Sequence, residues 1–161
     1  GIFWERVTEH AAWSPRTIST IAVFQNNLWL FGGSVIDGDA VTHPNAPKQL
    51  WSSANGKDWT LVKTNLDKKW GGTPVVYDNK LWLIGMNRGA AFASAVWHSE
   101  DGARWKEDAA PWSPRGAVAA WVYNDRLFMT GGKSSHTENG QIKFVYSNDV
   151  WTMSKTNGED R

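Results

Sequence analysis

The tryptophans of this chain recur at long, regular intervals. Trp51 and Trp97 are 46 residues apart, and Trp97 and Trp151 are 54 residues apart. A second series, with intervals of 55 and 46 residues, comprises Trp4, Trp59 and Trp105. Of the 12 tryptophans, only Trp121 lies outside these repeats. Repetition over such a period indicates an array of similar units that bury their apolar faces against one another.

The segments between the tryptophans also repeat. Residues 13–16 and 112–115 both read Trp-Ser-Pro-Arg, and an apolar run, a polar turn and a second apolar run follow each of them. The second run ends in a glycine pair, at 32–33 and 131–132. The middle repeat departs from this pattern, because it has no arginine near Gly72 and has Met86 in place of the second glycine. The chain therefore contains three repeats, of which the second is degraded.

Each repeat contains short strand candidates and strong turn signals. We label the strands a to d in chain order. They are predicted at 17–24 and 117–123 for a; 28–31, 81–84 and 127–130 for b; 50–52, 96–99 and 149–153 for c; and 59–63 and 105–107 for d. Asn55-Gly56 and Asp101-Gly102 stand between c and d, and such pairs are typical of tight hairpins. No helical period is visible. The sequence therefore predicts an all-β, antiparallel fold.

This arrangement resembles bacterial kelch-type repeats of the galactose oxidase and kelch-like superfamily, over nearly the whole chain from residue 3 to residue 151. The resemblance implies a kelch-like β-propeller with three four-stranded blades in a single segment, 1–161. The blade repeats lie at about 8–63, 64–107 and 108–153, and residues 3–7 form a further d-like strand. Residues 99–105 are also similar to the sialidase Asp-box but are one residue short, and we interpret them as the hairpin that the two families share.

Three blades are too few for a propeller, which typically needs 4–8 to surround its channel. We predict a two-fold symmetric homodimer that forms one six-bladed ring, in which residues 3–7 of one copy complete the third blade of the other. The alternative is that the sequence is a piece of a longer single-chain propeller. Either arrangement would cover the open edge and the apolar flanks of the outer blades.

The strand order places the d–a and b–c connections on one face of such a propeller. The b–c connections are long, at 34–49, 87–95 and 133–148, and long loops on a rigid scaffold often carry function. The candidate ligand-binding residues on this face are Arg16, Arg115, Trp13, Trp70, Trp112, His43 and His136. Guanidinium groups suit carboxylates and phosphates, and indoles stack on sugar rings. The alternative is structural: the arginines bond backbone carbonyls, and the tryptophans pack between blades.

We predict a recognition module that binds a small polar ligand, a glycan or a protein at this face. The alternatives are a cofactor-free carbohydrate enzyme of the mutarotase or hydrolase type, with Glu138 or Asp39 as acid or base, and a purely structural assembly module. No cofactor or metal is predicted, because the histidines at 10, 43 and 136 lie in separate loops without ligand spacing. Galactose oxidase chemistry is excluded, since its cofactor needs a cysteine and the chain has 0.

Charge and hydropathy limit the partners further. The net charge of +1 argues against nucleic acid binding, and no apolar run approaches the roughly 20 residues that span a bilayer. No signal-peptide pattern is visible. The resemblance slightly favours a secreted or periplasmic protein.

Overall fold

The computed structural model describes residues 1–35, 49–66, 71–88 and 91–154, and at 17–19, 34–35 and 87–88 it describes the backbone alone. Within these ranges the chain consists of antiparallel β-strands joined by turns and loops, and no helix is present. The prediction of an all-β antiparallel fold is confirmed. No described segment forms a helix that could cross a membrane.

The first sheet contains four strands in chain order. They are β1 (Arg16–Phe24), β2 (Asn27–Val35), β3 (Leu50–Ser53) and β4 (Thr60–Leu61). The β1–β2 turn places Gln25 and Asn26 at φ of 49° and 57°, the left-handed region that asparagine tolerates. The β4 strand is shorter than the predicted strand at 59–63.

The second sheet has the same order of four antiparallel strands, and a small separate hairpin lies in the connection between its second and third strands. Its strands are β5 (Thr73–Tyr77), β6 (Lys80–Ile84), β9 (Ala95–Ser99) and β10 (Lys106–Ala109), and the hairpin consists of β7 (Asn87–Arg88) and β8 (Ala91–Phe92). The sheet order is β10-β9-β6-β5, so β5 and β10 are its two edges.

The third sheet has three strands in the described part of the chain. They are β11 (Ala119–Tyr123), β12 (Arg126–Thr130) and β15 (Val150–Ser154), in the order β11-β12-β15. The connection predicted as a loop at 133–148 is largely a hairpin of β13 (Lys133–Glu138) and β14 (Gln141–Tyr146). The d-like strand predicted at 3–7 is not part of any described sheet.

The second sheet lies between the other two. Its residues Leu81 and Leu83 face a core shared with the first sheet, where they pack near Phe31. Ile84 faces a second core that contains Met129 of the third sheet, because neighbouring residues of a strand point to opposite faces. The first strands of the three sheets also meet, since β5 contacts both β1 and β11. This packing brings the beginnings of the three repeats together.

The two outer faces of this stack carry exposed apolar side chains in the part of the chain that the structure describes. Ile21 and Val23 of β1 are exposed on the outer face of the first sheet. Trp121 and Tyr123 of β11 are exposed on the third sheet, where Trp121 stacks on Phe128 with ring centroids 5.7 Å apart. Apolar residues at both ends of a stack indicate surfaces that another element covers.

Candidate functional site

The guanidinium group of Arg115 is buried in a complete set of protein acceptors. Its Nε donates to the carbonyl of Ser113, and its Nη1 donates to the carbonyl of Gly131. Two further hydrogen bonds form a two-pronged ion pair with the carboxylate of Asp149, and Nη2 also donates to the hydroxyl of Ser113. The side chain is only 5% exposed. Its five N–H donors are thus directed at the protein itself.

Asp149 connects this arginine to the tryptophan of β15. Its carboxylate accepts a 2.8 Å hydrogen bond from the indole Nε1 of Trp151 in addition to those from Arg115. These bonds stabilise the charged form, so the hydrogen bonds from Arg115 first, and then the one from Trp151, hold the pKa of Asp149 below its ordinary value. The carboxylate therefore remains ionised as the counter-charge of a buried cation.

Arg16 has the same environment with one chemical difference. It donates to the carbonyls of Ser14 and Gly32 at 3.1 Å each, but its side-chain acceptor is the neutral amide oxygen of Gln49, at 2.8 Å. Gln49 also accepts from Trp51 Nε1, as Asp149 does from Trp151. Partial burial lowers the pKa of Arg16. Among the described residues, no carboxylate neutralises the charge of Arg16, so this arginine is the better placed of the two to hold an external anion.

The tryptophans of the two Trp-Ser-Pro-Arg motifs pack against the indoles of strand c. The Trp13 and Trp51 ring centroids lie 5.8 Å apart with an interplanar angle of 58°, and those of Trp112 and Trp151 lie 5.8 Å apart at 59°. Such tilted pairs contribute about 0.5–1.5 kcal/mol beyond their buried area. The motif therefore joins the start of strand a to strand c within one sheet. Trp112 also packs against the core between the second and third sheets, which is the packing between blades that the structural alternative predicts.

The second sheet lacks the polar acceptor of this arrangement. Thr73 pairs with Ile84 as Thr20 pairs with Phe31 in the first sheet, so the position equivalent to Arg16 lies four residues before Thr73, outside the described residues. The Thr73 hydroxyl donates to the carbonyl of Val118. Ala95 stands where Gln49 and Asp149 provide acceptors, two residues before the strand-c tryptophan. As a result the buried Nε1 of Trp97 has no hydrogen-bond partner among the described residues.

A second repeated cluster closes the turns between strands c and d, and the sequence predicted it only as a hairpin. In the second sheet the Ser99 hydroxyl accepts from the Gly102 amide at 2.8 Å, and Asp101 Oδ1 accepts from the Arg104 amide at 2.7 Å. The Trp105 indole donates to the Gly102 carbonyl at 2.9 Å. The amide hydrogen bond from Arg104 is the main cause that lowers the pKa of Asp101 to about 2. Residues 53–59 of the first sheet repeat this geometry, with Asn55 in place of the aspartate.

The remaining candidate residues are dispersed. His136 lies on β13 opposite Lys143 of β14, and Glu138 of the same hairpin forms an ion pair with Lys143. The other candidates, His43, Trp70 and Asp39, are outside the described residues. In the part of the chain that the structure describes, no three histidine or acidic side chains are close enough to hold a metal ion.

A groove of about 420 Å³ runs between the second and third sheets. Asp108, Ala109 and Pro111 form one wall, and Trp112, Trp151 and Met153 belong to the other. The Nε1 atom of Trp112 is buried there without a hydrogen-bond partner among the described residues. The sequence does not predict this groove, because its shape depends on how two sheets pack.

Comparisons with known proteins bear on the repeats and not on any of these side chains. No family model matches the chain. The chain is 26% identical over 159 residues to the kelch repeat protein M-T8 of Myxoma virus (strain Lausanne). The similar region covers 92% of this chain but 30% of the viral protein, so the chain spans less than a third of that relative's length. This likeness supports kelch-type repeats in the chain, whereas the bacterial type and the wider superfamily remain predictions.

Proposed function

We propose that this chain is a protein-interaction module whose partner-binding surface is the β13–β14 hairpin. The hairpin forms most of the b–c connection of the third repeat, on the face where the sequence predicts a ligand. The likeness to a kelch repeat protein supports a protein partner. The observation that carries the proposal is a row of exposed apolar side chains along β14.

That row follows from the strand geometry. Ile142, Phe144 and Tyr146 alternate along β14 and therefore point to one face of the hairpin, and they are 69%, 50% and 74% exposed. The Lys133 ammonium lies 4.6 Å from the Phe144 ring centroid on the same face. Aromatic side chains flanked by a cation are typical of the residues that dominate the energy of protein interfaces.

A small anionic or glycan ligand is the second candidate, and Arg16 supports it. Its charge has no carboxylate partner among the described residues, while Arg115 already has Asp149. The sugar-acting alternative lacks such support, because Glu138 is paired with Lys143.

We further propose that each chain contributes three blades, at about 8–63, 64–107 and 108–153, to a six-bladed ring of two copies. The exposed outer faces of the first and third sheets support this assembly, since two-fold symmetry would place Ile21 and Val23 of each copy against Trp121 and Tyr123 of the other. A single chain with further blades would cover the same faces and is the alternative.

Comparative capture tests the partner surface. The wild-type chain, a Phe144→Ser/Tyr146→Ser variant and a Val145→Ser control are immobilised, and the proteins that each retains from an extract are quantified by mass spectrometry. Val145 is also exposed but points to the opposite face of the hairpin. A partner retained by the wild type and the control, and bound after purification at least about tenfold more weakly by the double variant, supports the proposal. Equal binding by all three chains contradicts it.

A further inference from the structure

The first two sheets show how a tryptophan anchors the outer strand. In the first sheet, Trp59 lies just before β4, and its ring packs edge-on against Trp13 with centroids 4.8 Å apart. Leu61, two residues further on, pairs with Trp51 of β3. In the second sheet, Trp105 precedes β10, and Glu107, again two residues further on, pairs with Trp97.

The third sheet has the pair of tryptophans before strand a and in strand c, but the described residues provide no outer strand and no tryptophan in front of it. Trp112 packs on Trp151 as Trp13 packs on Trp51. No described strand pairs with the outer edge of β15, and no described indole occupies the position that Trp59 has beside Trp13. The groove of about 420 Å³ lies at this edge, and the buried Trp112 Nε1 in its wall is unpaired within the described structure.

The chain also contains a segment with the matching pattern and no place in a described sheet. Gly1 precedes Trp4 by three residues, as Gly56 precedes Trp59 and Gly102 precedes Trp105. Phe3 and Trp4 are 87% and 89% exposed. In its own chain this segment leads towards β1 of the first sheet, and the second sheet lies between that sheet and β15. The groove of the same chain is therefore on the far side of another sheet.

We propose that the groove beside β15 is a docking site for residues 3–7 of a second copy of this chain, with Trp4 packed edge-on against Trp112. The proposal deepens the proposed six-bladed assembly and rests on it. The first two sheets predict the pairing: Arg6 opposite Trp151, and Val7 opposite Val150. Antiparallel addition to a free edge satisfies the backbone groups of both strands, and the indole provides apolar burial and specificity.

The orientation of the backbone N–H and C=O groups in strand c identifies a substitution that should disrupt the outer edge of β15 alone. In the first sheet the Leu50 carbonyl accepts from the Val62 amide at 2.8 Å, so Leu50 and the residue two positions later direct their backbone groups to the outer strand. Val150 and Thr152 are the equivalents in β15. Thr152→Pro therefore removes a donor from the free edge and leaves the hydrogen bonds to β12 in place, a position at which strands tolerate proline.

Sedimentation velocity of the full chain is the first test. We expect the wild type to associate with itself, and Trp4→Ala and Thr152→Pro to weaken this association at least about tenfold, since a tryptophan in a central pocket is a typical hot spot. Val145→Ala is the control, because that exposed residue lies outside the groove and on the face of the hairpin opposite to Phe144 and Tyr146. Circular dichroism of each variant verifies that it has folded.

A peptide of residues 1–8, labelled with a fluorophore at its C-terminus, is the second test. We expect it to bind the full-length Trp4→Ala chain in an anisotropy titration, and the same peptide with alanine at position 4 to bind at least about tenfold more weakly. A wild type that is monomeric and binds neither peptide would overturn the proposal. The groove beside β15 would then be occupied by residues of its own chain. A dimer unaffected by Trp4→Ala would overturn the groove alone. The docking proposal does not depend on the hairpin: it stands even if the Phe144→Ser/Tyr146→Ser variant binds a protein partner as well as the wild type does.

Discussion

Arg115 and Asp149 form a two-pronged ion pair between residues 34 positions apart in the sequence. Asp149 precedes β15, so the pair joins the start of the third repeat to the outermost described strand of its sheet. In the first sheet Arg16 and Gln49 occupy the same places with an amide as the acceptor. Within the described structure, the same fold position thus has a charged acceptor in the third sheet and a neutral one in the first, and the two acceptors can be exchanged by mutation.

Exchanging the two acceptors tests whether the counter-charge stabilises the sheet. Asp149→Gln retains an acceptor for Arg115 and leaves the buried cation without its counter-charge, so we expect a lower melting temperature than in the wild type. Asp149→Leu should lower it further, because the acceptor is lost as well. Gln49→Glu should raise it by about 2–4 °C, which corresponds to roughly 1 kcal/mol in a domain of this size. Thermal melts in which Asp149→Leu matches the wild type would contradict this role.

Acid should destabilise the folded chain through its carboxyls with lowered pKa. Asp101, with a pKa of about 2 against an ordinary 3.8, binds its proton more weakly when folded, so the unfolded chain takes up more protons as the pH falls. Its stabilisation is complete above about pH 4 and is lost towards pH 2. Asp149 acts in the same direction. We expect Asp101→Asn, which retains the turn as Asn55 does in the first sheet, to show a shallower loss of stability in urea titrations between these pH values. An identical pH slope would contradict the prediction.

The two strand-c tryptophans should differ in their response to phenylalanine. Trp151 donates its indole N–H to Asp149, whereas the buried N–H of Trp97 has no partner among the described residues. Both substitutions remove a similar volume, and only Trp151→Phe removes a hydrogen bond to a charged group. We expect Trp151→Phe to cost about 1–3 kcal/mol more than Trp97→Phe in the free energy of unfolding. Equal losses in urea denaturation would mean that Trp97 has a partner after all.

Gly102 should be far less tolerant of alanine than Gly140. Both have positive φ, at 73° and 75°. A Cβ on Gly102 would lie 2.1 Å from the Trp29 ring, while a Cβ on Gly140 meets nothing within 4 Å. Gly140→Ala should therefore cost only the backbone strain of about 1 kcal/mol, and Gly102→Ala should add about 1–3 kcal/mol of overpacking. Unfolding free energies of the two variants measure the difference directly, and equal values would show that Trp29 can move aside.

The local elements of this fold could be predicted from the sequence, because their causes lie within a few residues of each other. Polar turn residues with positive φ, such as Asn26 and Asn124, define the hairpins between strands a and b. Asn-Gly and Asp-Gly mark the turns that follow strand c. The alternation of Leu81, Trp82 and Leu83 predicts a strand, and the tertiary structure adds that this strand is covered on both faces.

The chemistry of the candidate site could be predicted from the sequence only in small part. The Trp-Ser-Pro-Arg motifs at 13–16 and 112–115 were recognised, but the sequence left open whether their arginines hold a ligand or the protein. The register of β15 against β12 brings Asp149 to Arg115, and a partner 34 residues away follows no local rule. The signal that was missed is the polar residue two positions before the strand-c tryptophan, present as Gln49 and Asp149 and lost as Ala95.

The sequence by itself determined the repeat, the strands and the turns, since these depend on side-chain alternation and on backbone preferences of neighbouring residues. Only the tertiary structure decided, for the described residues, which arginine has a carboxylate partner, which indole N–H groups are buried without an acceptor, and where a groove opens between two sheets. Each of these depends on contacts between residues far apart in the chain. Such contacts form only when whole sheets pack against one another, because burial and pairing are properties of the assembled surfaces and not of any short segment.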